Sequence, residues 1–135
     1  MNTLNLKRQH TEVMALADNI LSCIKNNTVA QNLNDIAKSI NIITGKLNIH
    51  LLNEDKYLYP FLLNSPESSL NSFGKKYSDE MIQVAKAYED YKSKYNTAIK
   101  IQQDIKKFCE DTKHIFEAIS SRIEREEDEL YPLLQ

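Results

Sequence analysis

Positions 6, 10, 13, 17, 20 and 24 read Leu, His, Val, Ala, Ile and Ile, a run of fours and threes that places all six on one side of a helix. The spacing returns at 33, 36, 40, 43, 47, 50 and 54 as Leu, Ile, Ile, Ile, Leu, His and Glu. It returns again at 77, 81, 84, 88, 91 and 95 as Tyr, Met, Val, Tyr, Tyr and Tyr. A fourth seam runs through 101, 105, 108, 112, 115, 119, 122 and 126 as Ile, Ile, Phe, Thr, Ile, Ile, Arg and Glu. Four such seams in 135 residues, with two glycines and three prolines, leave little material for strands and hairpin turns. The chain is expected to be all-α, one domain over residues 1–135.

The punctuation supports four helices. Thr28 with Gln31 gives a capping-box signal for the second helix, which Pro60 is expected to kink or end. Asn64-Ser65-Pro66-Glu67 reads as a break followed by an N-cap with proline at the first helical position, then a loop or short helix before the third seam begins at 77. Asn96-Thr97 is the reversal into the fourth helix, expected from 101. Short connections favour antiparallel neighbours, so the expected fold is an up-down-up-down antiparallel four-helix bundle.

That topology gathers seven non-aliphatic seam positions at one end: His10, His50, Glu54, Tyr77, Met81, Arg122 and Glu126. A polar side chain buried alone costs a few kcal/mol, so residues from four helices meeting in one layer are expected to partner one another or a ligand. His50 and Glu54, four apart, project from one face and can reach one metal ion, and His10 and Glu126 complete a set of two imidazoles and two carboxylates. Such a shell suits iron, manganese or zinc. The run Glu124 to Glu129 leaves the register at its end open by one residue, so Glu127 stands as an alternative to Glu126. Tyr88, Tyr91 and Tyr95 are read as core, and His114 as a residue at a seam edge or in solvent with no role.

The segment His50-Leu-Leu-Asn-Glu54-Asp-Lys-Tyr-Leu-Tyr-Pro60 resembles the His-x-x-x-Glu…Leu-Tyr-Pro segment of hemerythrin-like domains, and Arg122-Ile-Glu-Arg-Glu126-Glu-Asp-Glu-Leu-Tyr-Pro132 repeats it 72 residues later. The resemblance implies that His10 and His50 serve one iron and that Glu54 and Glu126 correspond to bridging carboxylates. It also implies a second iron held by histidines from the third and fourth helices, where this chain has Tyr77, Met81 and Arg122. Arginine stays protonated and cannot ligate a metal, so the site is expected to keep one mononuclear half. Arg122 is then expected to stand in the second ion's place and hold Glu54 and Glu126 by charge-assisted hydrogen bonds, with Tyr77 donating to a carboxylate.

The expected function is therefore iron binding, or sensing of O2, NO or iron, through a degenerate site. The alternative is a metal-free regulatory or interaction protein in which Arg122 neutralises the two glutamates. A net charge of -2 without a basic stripe argues against nucleic acid as partner. No run of about 18 apolar residues occurs, so no membrane span is expected, and MNTLNLKRQHTEV lacks an apolar signal core. Two cysteines are too few for a disulfide framework, and a cytoplasmic location is expected. Nothing resembles a nucleophile motif or a phosphate loop, so enzymatic activity is not expected.

Overall fold

In a computed structural model, which describes residues 3–134, the chain forms helices α1 (Leu4–Lys25), α2 (Leu33–Asn53), α3 (Tyr59–Leu63), α4 (Ser68–Tyr95), α5 (Ala98–Gln102) and α6 (Ile105–Arg125). Two π-turns, Glu54–Leu58 and Glu126–Leu130, extend α2 and α6, and no strand occurs among the described residues. The helix α1 packs on α2 and α6, α2 on α4, and α4 on α6.

The seams face inward as expected, and they bury two apolar clusters. The larger includes Val13, Ile20, Ile40, Ile43, Tyr88, Tyr91, Phe108, Phe116 and Ile119. The smaller contains Leu6, Leu58, Tyr59, Leu62, Leu70, Tyr77, Met81, Leu130 and Tyr131. Every long helix crosses from one to the other: α1 and α4 start in the smaller cluster and leave through the larger, whereas α2 and α6 run the reverse course. Between the clusters lies the polar layer. His10, His50, Glu54, Arg122 and Glu126 are all less than 5% exposed there.

The helix ends differ from the sequence reading at several points. Thr28 does not open α2 with a capping box. Instead its N–H reaches Cys23 O at 2.9 Å while Asn27 N–H reaches Ile24 O at 3.2 Å, with Asn27 at φ 56°. That is a Schellman end to α1, in which asparagine tolerates the left-handed conformation. Pro66 lies ahead of Glu67, the N-cap of α4, and Ser65 Oγ accepts the Glu67 N–H at 3.2 Å. The third helix begins at Ser68, not 77, because Leu70 and Gly74 carry the seam back two turns. Finally, Asp104 caps α6 by accepting from Lys107 N–H at 3.0 Å, which separates the short α5 from α6.

Pro60 does not end the second helix. Tyr59 N–H bonds Glu54 O, the five-residue closure of a π-turn, and the chain runs on as α3. The proline ring lacks an N–H and would crowd the carbonyl one α-turn earlier; widening the turn relieves both problems. Pro132 follows the same pattern, with Tyr131 N–H on Glu126 O.

Candidate metal centre

Each buried glutamate sits at the first position of a π-turn, and the wider turn swings the tyrosine five residues on back over it. Tyr59 donates its hydroxyl to Glu54 Oε2 at 3.0 Å, and Tyr131 donates to Glu126 Oε2 at 3.1 Å. Burial pushes both phenols far above their ordinary range, with the nearby carboxylates adding to the effect, so both remain donors. The Leu-Tyr-Pro repeat is thus a device for aiming carboxylates. Nothing in the helical spacing signals these tyrosine contacts.

Two imidazoles complete the layer. His10 and His50 face each other Nε2 to Nε2 at 3.0 Å, with ring centroids 4.5 Å apart. His50 Nε2 lies 2.6 Å from Glu54 Oε1, and His10 Nε2 lies 3.3 Å from Glu126 Oε2. One ligand-type atom from each of His10, His50, Glu54 and Glu126 falls within 4.8 Å of the other three. Glu126, at 1% side-chain exposure, is the inward member of the acidic run; Glu127 lies behind His10, its Oε1 3.3 Å from Nδ1.

The two buried carboxyls are shifted in opposite directions. Burial, then the neighbouring Glu126 carboxyl, hold the Glu54 carboxyl well above the usual carboxylate range. Burial also works against Glu126, but hydrogen bonding and charge from His10, the Glu54 carboxyl and the Arg122 guanidinium keep it below. Burial likewise lowers His50, against an opposing pull from Glu126.

Glu54 Oε1 and Glu126 Oε1 are nevertheless left without a hydrogen-bond partner. The short approach of Glu54 Oε1 to His50 lacks hydrogen-bond alignment. Two buried, unpartnered carboxylate oxygens beside two imidazole nitrogens form a donor set that fits a cation. A small cavity of about 20 Å³ adjoins Glu126 and the two imidazoles, lined by Val13, Leu47, Met81, Val84 and Ile119 together with the histidines, Arg122 and Glu126. It has room for about one small molecule.

Arg122 sits 72 residues after His50, in the equivalent place of the repeat, and its partners differ from those expected. Its strongest contacts are Nη1 to Glu80 Oε2 at 2.5 Å and Nη2 to the Tyr77 carbonyl at 2.6 Å. Its Nε donates to Met81 Sδ at 3.3 Å and lies 3.4 Å from Glu126 Oε1. It meets Glu54 through Tyr59, whose hydroxyl lies 3.4 Å from Nη2. Tyr77 donates to Glu129 Oε2 at 2.6 Å rather than to either bridging-type glutamate. Glu80, also paired with Arg125 at 2.8 Å, lies off the third seam and gave no sequence signal.

The family model for the hemerythrin HHE cation-binding domain matches residues 2–134. The chain belongs to this family. No curated protein and no solved structure matches it. The hemerythrin-like repeat thus survives in both halves, as glutamate, π-turn, tyrosine and proline, while the residue four before the glutamate differs between them. Outside the site, Tyr88, Tyr91 and Tyr95 are core, their hydroxyls bonded to Ile40 O, Thr112 Oγ1 and Asp111 respectively, and His114 is exposed.

Proposed function

We propose that this chain is a single-domain hemerythrin-like module, an up-down-up-down four-helix bundle, that binds one metal ion through His10, His50, Glu54 and Glu126. The alternating course of α1, α2, α4 and α6 through the two apolar clusters supports the topology. The observation that carries the metal reading is the pair of orphaned, buried oxygens, Glu54 Oε1 and Glu126 Oε1, beside two imidazoles in a four-residue group. An imidazole and carboxylate shell accepts iron, and family membership makes iron the first choice. A bound iron would supply a Lewis-acidic, redox-active centre next to the apolar cavity. That points to sensing of O2, NO or iron rather than turnover of a larger substrate.

In this reading Arg122 is the permanent cation of the second half, fixed by Glu80 and Tyr77, so the site is mononuclear. The free thiols Cys23 and Cys109 fit a cytoplasmic location, and no described helix is long and apolar enough to cross a membrane. The test is metal content and the ultraviolet-visible spectrum of protein expressed with added iron. Near one iron per chain, lost in His50→Ala, is the expected result. Substoichiometric metal unaffected by His50→Ala sinks the reading.

A metal-free regulatory bundle is the second reading, favoured by the approach of Arg122 Nε to Glu126 and by the raised Glu54 carboxyl. It requires that Arg122→His gain iron that the parent lacks.

A further inference from the structure

Both site histidines turn Nε2 inward, and each has a side chain waiting behind it. His50 Nδ1 donates to Gln9 Oε1 at 2.7 Å, and Gln9 is 8% exposed. His10 Nδ1 lies 3.3 Å from Glu127 Oε1. The arrangement is crossed: Gln9, the neighbour of His10 on α1, holds His50 on α2, while Glu127, the neighbour of Glu126 at the end of α6, holds His10 on α1. Three helices are thereby tied at the ring nitrogens that face away from the site.

We propose that Gln9 and Glu127 are the positioning residues of the metal centre, fixing the Nδ1–H form and the orientation of His50 and His10 so that both Nε2 lone pairs point at one ion. This rests on the metal-binding reading above. The physical need is definite, because an unsupported imidazole rotates about its side-chain bonds and divides its proton between two nitrogens, and either loss misdirects a ligand atom. The two supports also differ in kind. The Glu127 carboxylate strengthens electron donation by His10, whereas the neutral Gln9 amide only aligns His50. The two imidazoles are consequently unequal ligands, with His10 the stronger.

Cobalt(II) titrations followed by visible absorption, together with nitrogen NMR of the histidine rings in metal-free protein, test this on the parent, Glu127→Ala, Glu127→Gln and Gln9→Leu. Glu127→Ala and Gln9→Leu are expected to weaken cobalt binding about 10- to 100-fold. Glu127→Gln, which keeps a hydrogen-bond acceptor, is expected to recover part of the loss. In parallel, the His50 ring is expected to leave its single Nδ1–H form in Gln9→Leu, and the His10 Nδ1 proton to lose protection in Glu127→Ala.

Weakened affinity with unchanged ring signals would mean a merely structural effect and overturns the proposal. So does affinity within about twofold of the parent, whatever the rings show. If the parent itself takes up no cobalt, the metal-binding reading falls first. The ring signals then decide alone: altered in the variants, the positioning stands for the metal-free layer; unaltered, it fails.

Discussion

The Arg122 guanidinium lies over the ring of Tyr77, 4.1 Å from its centroid, while its Nη2 donates a hydrogen bond to the backbone carbonyl of the same residue. A cation held by a ring face, a carbonyl and the Glu80 carboxylate is fully committed, and at 4% exposure it has no water to fall back on. Arg122→Ala is therefore expected to destabilise the metal-free protein by about 3–5 kcal/mol, toward the lower end because Glu80 is partly open to solvent. Urea unfolding read by helical circular dichroism checks this. A midpoint equal to the parent's means the network contributes nothing.

Tyr59→Phe removes one hydroxyl and leaves Glu54 Oε2 without its donor in a fully buried setting. The expected loss is about 1–3 kcal/mol, the cost of an unsatisfied buried acceptor. Tyr131→Phe should lose a similar amount at Glu126. Because the π-turns bring these groups together, Tyr57→Phe, whose ring is exposed, should leave stability within about 0.5 kcal/mol of the parent. The three unfolding midpoints, compared side by side, decide whether the hydroxyls or the rings matter.

The seams and the metal-type residues were legible because an amphipathic helix repeats its apolar positions every three or four residues, and His10, His50, Glu54 and Glu126 interrupt that repeat on schedule. The tyrosine contacts were not. On an ideal α-helix a residue five along is turned about 140° away, so Tyr59 and Tyr131 read as unrelated to their glutamates. Only the π-turn, invisible to a fixed period, closes the gap. Glu80 escaped for a different reason: it is partly exposed and off the seam, and nothing local announces that a buried arginine on another helix will choose it. Gln9 was passed over because a polar residue at the edge of a seam reads as solvated until its partner on α2 is known.

The two glycines invite opposite expectations. A Cβ on Gly45 of α2 would meet no atom within 4 Å, so Gly45→Ala should stabilise the protein by about 0.5–1 kcal/mol through lower backbone entropy in the unfolded chain. A Cβ on Gly74 of α4 would lie 2.8 Å from Leu62 Cβ, where α3 and α4 touch. That atom is bonded to the backbone and has no flexible tail to move, so Gly74→Ala should destabilise by about 1–3 kcal/mol. Thermal midpoints moving in opposite directions are the expected result; both moving upward would show that α3 shifts freely.

The raised Glu54 carboxyl sets the pH behaviour of the metal-free layer. A group whose folded pKa lies above its unfolded value stabilises the fold at low pH, and that contribution is lost as pH rises from the unfolded value through the folded one. Glu126, shifted the other way, stabilises above its unfolded value and loses that as pH falls, so the two oppose each other and must be separated by mutation. The stability difference between the parent and Glu54→Gln, both metal-free, should shrink in the parent's disfavour as pH rises from 5 to 8. Metal binding must displace the same proton, so affinity should rise with pH and calorimetry in buffers of different ionisation enthalpy should register proton release. A pH-independent stability difference would mean that Glu54 is already ionised in the folded chain, and metal binding would then release no proton from it.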